Sequence, residues 1–155
     1  MRRIAVVALV GAVAVGWYLF RPDRLFVSRT VDEAAPGSVV RTLVEGTFEA
    51  RAHDGRGRAA VLELADGSRV LRLSEFETLD GPDVFVYLIG APDVASEADL
   101  DAAGYVNLGP LKGNIGSQNY VVPADIDVTR MKGVSVWCRR FAVNFTTAAL
   151  QPVER

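Results

Sequence analysis

Cysteine, histidine and lysine are scarce in this 155-residue chain: Cys138 is its only cysteine, His53 its only histidine, and Lys112 and Lys132 its only lysines. A single cysteine excludes an intramolecular disulfide framework, the usual staple of small exported domains. A blue-copper centre takes two histidines and a cysteine, and a structural zinc site takes four ligands drawn mostly from these two residue types. The chain alone builds neither. Covalent haem needs Cys-x-x-Cys-His, which is absent. A serine hydrolase triad would have to use His53, yet no Gly-x-Ser-x-Gly elbow surrounds any serine. A net charge of -2 leaves no basic field for nucleic acid. What survives the count is a single axial thiolate or imidazole on a non-covalent haem, or a bare redox thiol.

Apolar residues make up 50% of the chain, and part of that excess lies at the start. Arg2-Arg3 precede an uncharged run from Ile4 to Phe20, which closes with Trp17 and Tyr18 before Arg21-Pro22-Asp23-Arg24. The run is near the lower length limit for a spanning helix. Its arginine front and aromatic end fit an amino terminus in the cytoplasm and the remainder outside. Signal-peptide cleavage would need small residues where Gly16-Trp17-Tyr18-Leu19-Phe20 places bulky ones. The expectation is therefore an uncleaved, single-pass signal anchor over residues 1–21 in the cell membrane. The abundance of arginine, alanine and valine suits a GC-rich bacterial gene.

Charge, proline and glycine without a sustained period mark residues 22–42 as a tether, with a short strand at Val39-Val40. Beyond it the apolar period becomes two. Ala60, Leu62 and Leu64 alternate with their neighbours, Asp66-Gly67 intervenes, and Leu71 and Leu73 continue the alternation, which predicts a hairpin. Val84 to Ile89, between Gly81-Pro82-Asp83 and Gly90-Ala91-Pro92, reads as a strand buried on both faces. Ser96-Glu97-Ala98-Asp99 is a helix cap with an acid three residues on. Val134 to Cys138 and Phe141 to Leu150 supply the last strands. The fold class is all-β: a β-sandwich or jelly-roll-like barrel of short, mostly antiparallel strands over residues 43–151, preceded by the transmembrane helix and followed by a tail at 152–155.

Within Val134-Ser135-Val136-Trp137-Cys138, parity puts the cysteine in phase with two valines and Trp137 on the other face. Cys138 is then either core packing, for which a buried free thiol is well suited, or a redox group or ligand. Arg139 and Arg140 would favour its thiolate if the strand end let one fold back. His53, in Ala52-His53-Asp54-Gly55, is either a helper to that thiol or a turn histidine. The acidic residues from Asp80 to Asp101 lack the spacing of a calcium loop, and Gly109, Gly113 and Gly116 lack that of a phosphate loop. No metal ligand set is assigned. Asn144-Phe145-Thr146 matches a glycosylation acceptor but sits within a strand.

Four segments together carry a resemblance: Gly46-Thr47-Phe48 with His53; Val70-Leu71-Arg72-Leu73 with Phe76 and Gly81 to Leu88; Leu108 to Tyr120 ending at Pro123; and Val134 to Phe145 with Ala148 and Leu150. In order and spacing they resemble the DM-thirteen domain, a family named for electron transfer. The resemblance implies an extracytoplasmic β-domain, which in bacteria often stands alone behind a membrane anchor. It also implies a redox role centred on the cysteine at Cys138, as a bare thiol or a haem ligand, with a separate donor or acceptor as partner. The alternative is a non-enzymatic binding or adhesion module in which Cys138 is core and the loop from Gly109 to Asn119 makes the contacts. Either reading favours a carrier or binding domain over a substrate-converting enzyme.

Overall fold

The computed structural model describes residues 2–20 and 28–153. Arg21-Pro22-Asp23-Arg24 and the end of the tail, 154–155, lie outside the described residues. Helix α1 occupies Arg2–Phe20. Among the described residues no helix is long and apolar enough to cross a membrane, so the structure does not carry the expected transmembrane helix. The physical reason is length: with Arg2-Arg3 at its start, only about 17 uncharged residues remain, about 26 Å of helix against the ~30 Å of a bilayer core.

The rest is all-β. Nine strands follow in chain order: β1 (Val39–Ala50), β2 (Gly55–Leu64), β3 (Arg69–Thr78), β4 (Val84–Ile89), β5 (Tyr105–Pro110), β6 (Ile115–Val122), β7 (Gly133–Cys138), β8 (Val143–Ala149) and β9 (Gln151–Pro152). A helix α2 (Glu97–Ala103) lies between β4 and β5. The strands form one sheet in the order β5-β4-β7-β8-β1-β2-β3-β6, with β9 also paired to β1. The named strand pairs are all antiparallel. The expected sandwich or barrel is thus a single, nearly closed, barrel-like sheet.

The Asp66-Gly67 turn forms as expected, and Leu71 and Leu73 of β3 face the interior, but β2 presents the other face from the one read in the sequence: Ala59 and Val61 join the core cluster in place of Ala60 and Leu64. Asp66 accepts from the backbone N–H and hydroxyl of Ser68, Gly67 takes φ +81, and β2 and β3 pair from Glu63↔Arg69 inward. Ser96 and Asp99 form the expected capping box on α2. β1 is longer than the sequence suggested because it serves both halves of the sheet, β2 along its first part and β8 at Phe48 to Ala50. The change of partner needs Gly46, where a Cβ would stand 2.2 Å from the carbonyl oxygen of Ala149. Phe48, Val61, Leu71, Phe76, Val86, Val136 and their neighbours fill the interior. A smaller cluster of Tyr87, Ile89, Val94, Leu100 and Trp137 lies on the other face of β4 and β7, beneath α2.

One seam remains between the end strands β5 and β6. Residues 29–33, inside the stretch read as a tether, run along β6 as a strap. Thr30 bridges Ile115 in parallel, Val31 N–H donates to Ile115 O and Glu33 N–H to Ser117 O. The strap satisfies an otherwise open sheet edge. Its approach requires Gly116, at φ +102, where a Cβ would meet Val31 O at 2.1 Å. Inside the seam the buried Gln118 side chain donates to Gly113 O and accepts from the N–H of Lys112, the N–H of Gly113 and the hydroxyl of Tyr120. Burial pushes the Tyr120 phenol well up, so it remains a donor.

Candidate functional site

Cys138 ends β7, paired with Val84 of β4 and Val143 of β8. Its phase with Val134 and Val136 places it in the barrel interior, as parity required, and it is 0% exposed and unpaired. A cleft of about 360 Å³ lined by Asp80, Gly81, Asp83, Val84, Phe85 and Lys112, among others, reaches its strand partner Val84 but not the cysteine itself. A haem iron needs an open position at the sulfur. Cys138 offers none, so its sulfur does not fit as a ligand to that group.

His53 is brought to the same region but not to the thiol. Its backbone N–H donates to Phe145 O, and its ring meets the ring of Phe145 at 4.2 Å between centroids with planes 76° apart. Phe145 belongs to the same interior cluster as Cys138. Among the described residues no hydrogen bond joins His53 to Cys138. Arg139 does not fold back toward the sulfur either. Its guanidinium lies 3.6 Å from the centroid of the Phe85 ring, on the sheet's opposite face, and pairs with Asp83 at 3.3 Å. That carboxylate holds the Arg139 pKa above its ordinary value.

Three of the acidic residues from Asp80 onward have structural work. Asp83 holds Arg139, Asp93 pairs with Arg51 at 2.8 Å, and Asp99 caps α2. Asn144 is buried, donating to Val94 O and Thr147 Oγ1 and accepting from Ser135 Oγ, so its amide is a core network and not a glycan acceptor. The segment from Gly109 to Asn119 makes intramolecular contacts with the strap. Lys112 Nζ donates to Glu33 Oε1 at 2.7 Å and Asn119 N–H to Glu33 Oε2 at 2.7 Å.

A row of aromatic rings escaped the sequence reading. Phe85 pairs across the sheet with Trp137. The Phe85 and Tyr87 centroids are 6.3 Å apart, and those of Tyr87 and Tyr105 are 4.8 Å apart. Two aromatics at i and i+2 of β4 were visible in the sequence as one face of a strand. Tyr105 was not, because only the β4–β5 pairing brings it alongside.

These features define a nearly closed antiparallel β-barrel with one sealed thiol in its core. A family model described as electron transfer DM13 matches residues 47–150, and the chain belongs to that family. No curated protein and no solved structure matches the chain.

Proposed function

We propose that this protein is an electron-transfer module working outside the cytoplasm, held at the membrane by the apolar residues of α1, with Cys138 as its redox group. The observation that carries the reading is the electron transfer DM13 match over residues 47–150, within which Cys138 is the only thiol. Burial narrows the chemistry. Thiol–disulfide exchange requires one sulfur to touch another, and a 0% exposed sulfur touches nothing outside the fold. What remains is exchange of an electron without contact. The thiol gives one electron to the oxidised metal centre of a carrier protein and one proton to water, becoming a thiyl radical while the carrier's metal is reduced by one. Arg139 and Arg140 begin an exposed turn at the strand end, and local opening of that turn is what carries the proton from the sealed sulfur to solvent. His53 acts only through Phe145, as a positioning residue.

Flash photo-oxidation of the full chain with tris(bipyridine)ruthenium(III), read by electron paramagnetic resonance, tests the assignment. A sulfur-centred radical that is absent from Cys138→Ala, in a protein whose native thiol resists bulky thiol reagents, is the expected result. A sulfur as inert to the oxidant as to the reagents overturns it. The membrane placement is checked by alkaline washing of membranes, with release of the chain counting against it.

The burial of Cys138 among valines favours one second reading, a binding or adhesion domain in which the thiol only packs. Unchanged partner binding in Cys138→Ala, with loss of stability alone, would mark that outcome.

A further inference from the structure

If Cys138 is the redox group, its electron must cross the protein, and one row of rings leads from beside it to solvent. β7 puts Trp137, the residue before Cys138, on the outer face of the sheet opposite Phe85. From Phe85 the row continues to Tyr87 at 6.3 Å and to Tyr105 at 4.8 Å. Tyr87 is 2% exposed, whereas Tyr105 is 44% exposed. Trp137 shares the cluster beneath α2 with Tyr87. Arg139, lying over Phe85 and held by Asp83, fixes that ring in place.

Simple packing explains the buried members, since aromatic neighbours on one sheet face stabilise each other. It does not require the last ring to stand in solvent while stacked on a buried one. We propose that Tyr105 is the surface port of an electron route running Cys138, Trp137, Phe85, Tyr87, Tyr105, and that a carrier protein with a one-electron metal centre is served there. The proposal rests on the electron-transfer reading above. In the step, the Tyr105 phenol passes one electron to the oxidised metal of the carrier and its proton to water. The tyrosyl radical then takes one electron from Cys138 through the row and one proton from water, while the thiol releases its proton. The net change is one electron from the thiol to the metal and one proton from the thiol to solvent. Tyr87, whose phenol burial pushes upward, keeps its proton throughout.

The test uses the same flash oxidation, on the full chain with Trp17→Phe and Tyr18→Phe in every variant, because those exposed rings of α1 would compete. The expected result is an early tyrosyl signal that gives way to the sulfur signal, with both lost in Tyr105→Phe. The sulfur signal should also be lost in Phe85→Leu while the early tyrosyl signal persists. Tyr87→Phe, which removes only a hydroxyl and keeps the ring, guards against a folding artefact and should retain both. A sulfur signal undiminished in Tyr105→Phe overturns the route and leaves the electron-transfer reading standing. A wild-type chain that yields no sulfur signal overturns both.

Discussion

The imidazole of His53 packs edge-on against the ring of Phe145, 4.2 Å between centroids, and so braces the interior cluster that holds Cys138 without meeting the sulfur. His53→Ala should cost about 0.5–1.5 kcal/mol, the size of an aromatic pair, and His53→Phe should recover most of it. Urea midpoints of the two variants check this. A histidine acting as proton acceptor for the thiol would not be replaceable by phenylalanine in the oxidation assay.

Cys138 sits in an apolar shell, so the order of its substitutions is set by polarity as well as volume. Cys138→Ala should lose about 1–2 kcal/mol for a small core truncation. Cys138→Ser should lose more, about 1–3 kcal/mol for a buried hydroxyl without a partner. Equal midpoints for serine and wild type would show that the sulfur site admits water.

Gly116 lies under the strap at a positive φ. Gly116→Ala meets both a backbone conformation that alanine resists and the Val31 carbonyl, and should destabilise the barrel by more than about 1 kcal/mol. Hydrogen exchange locates the effect: the Val31 and Glu33 amides, which donate to Ile115 and Ser117, should lose protection first.

Lys112, by its hydrogen bond, holds the Glu33 carboxyl below its ordinary range, aided by the Asn119 N–H and by Arg72. A carboxyl depressed on folding contributes stability above its unfolded value and loses it as pH falls through the folded one. The strap should therefore loosen in acid, below the usual glutamate range. Glu33→Gln should remove that pH dependence, read as exchange at Val31 across an acid series. Because the pair is largely solvent-facing, the effect is local and not global.

Asn144 ties Ser135, Thr147 and Val94 together in one buried network. Asn144→Ala leaves these groups without their partner and should cost about 1–3 kcal/mol or more. Thermal unfolding measures it, and a near-neutral result would mean that ordered water replaces the amide.

Much of the barrel was readable in advance because its signals are local. Asp66-Gly67 set a turn, Ser96 with Asp99 set a cap, and the period of two in Val134 to Cys138 placed the cysteine inward and Trp137 outward. The partners of the candidate site were not readable, because each is a contact between residues far apart in the chain. Arg139 turns to Phe85 and Asp83, and His53 turns to Phe145. The spanning-helix expectation failed to gain support at a length limit that hydropathy alone leaves open.

The sequence by itself determined the strand periods, the turns, the single thiol and hence that the chain alone builds neither a blue-copper nor a structural zinc site, since composition and alternation are properties of the chain alone. Only the tertiary structure decided that the sheet nearly closes on itself, that residues 29–33 strap its seam, and that Tyr105 comes to lie beside Tyr87. Each of these depends on pairing between distant strands, where register and twist, not local propensity, choose the neighbour.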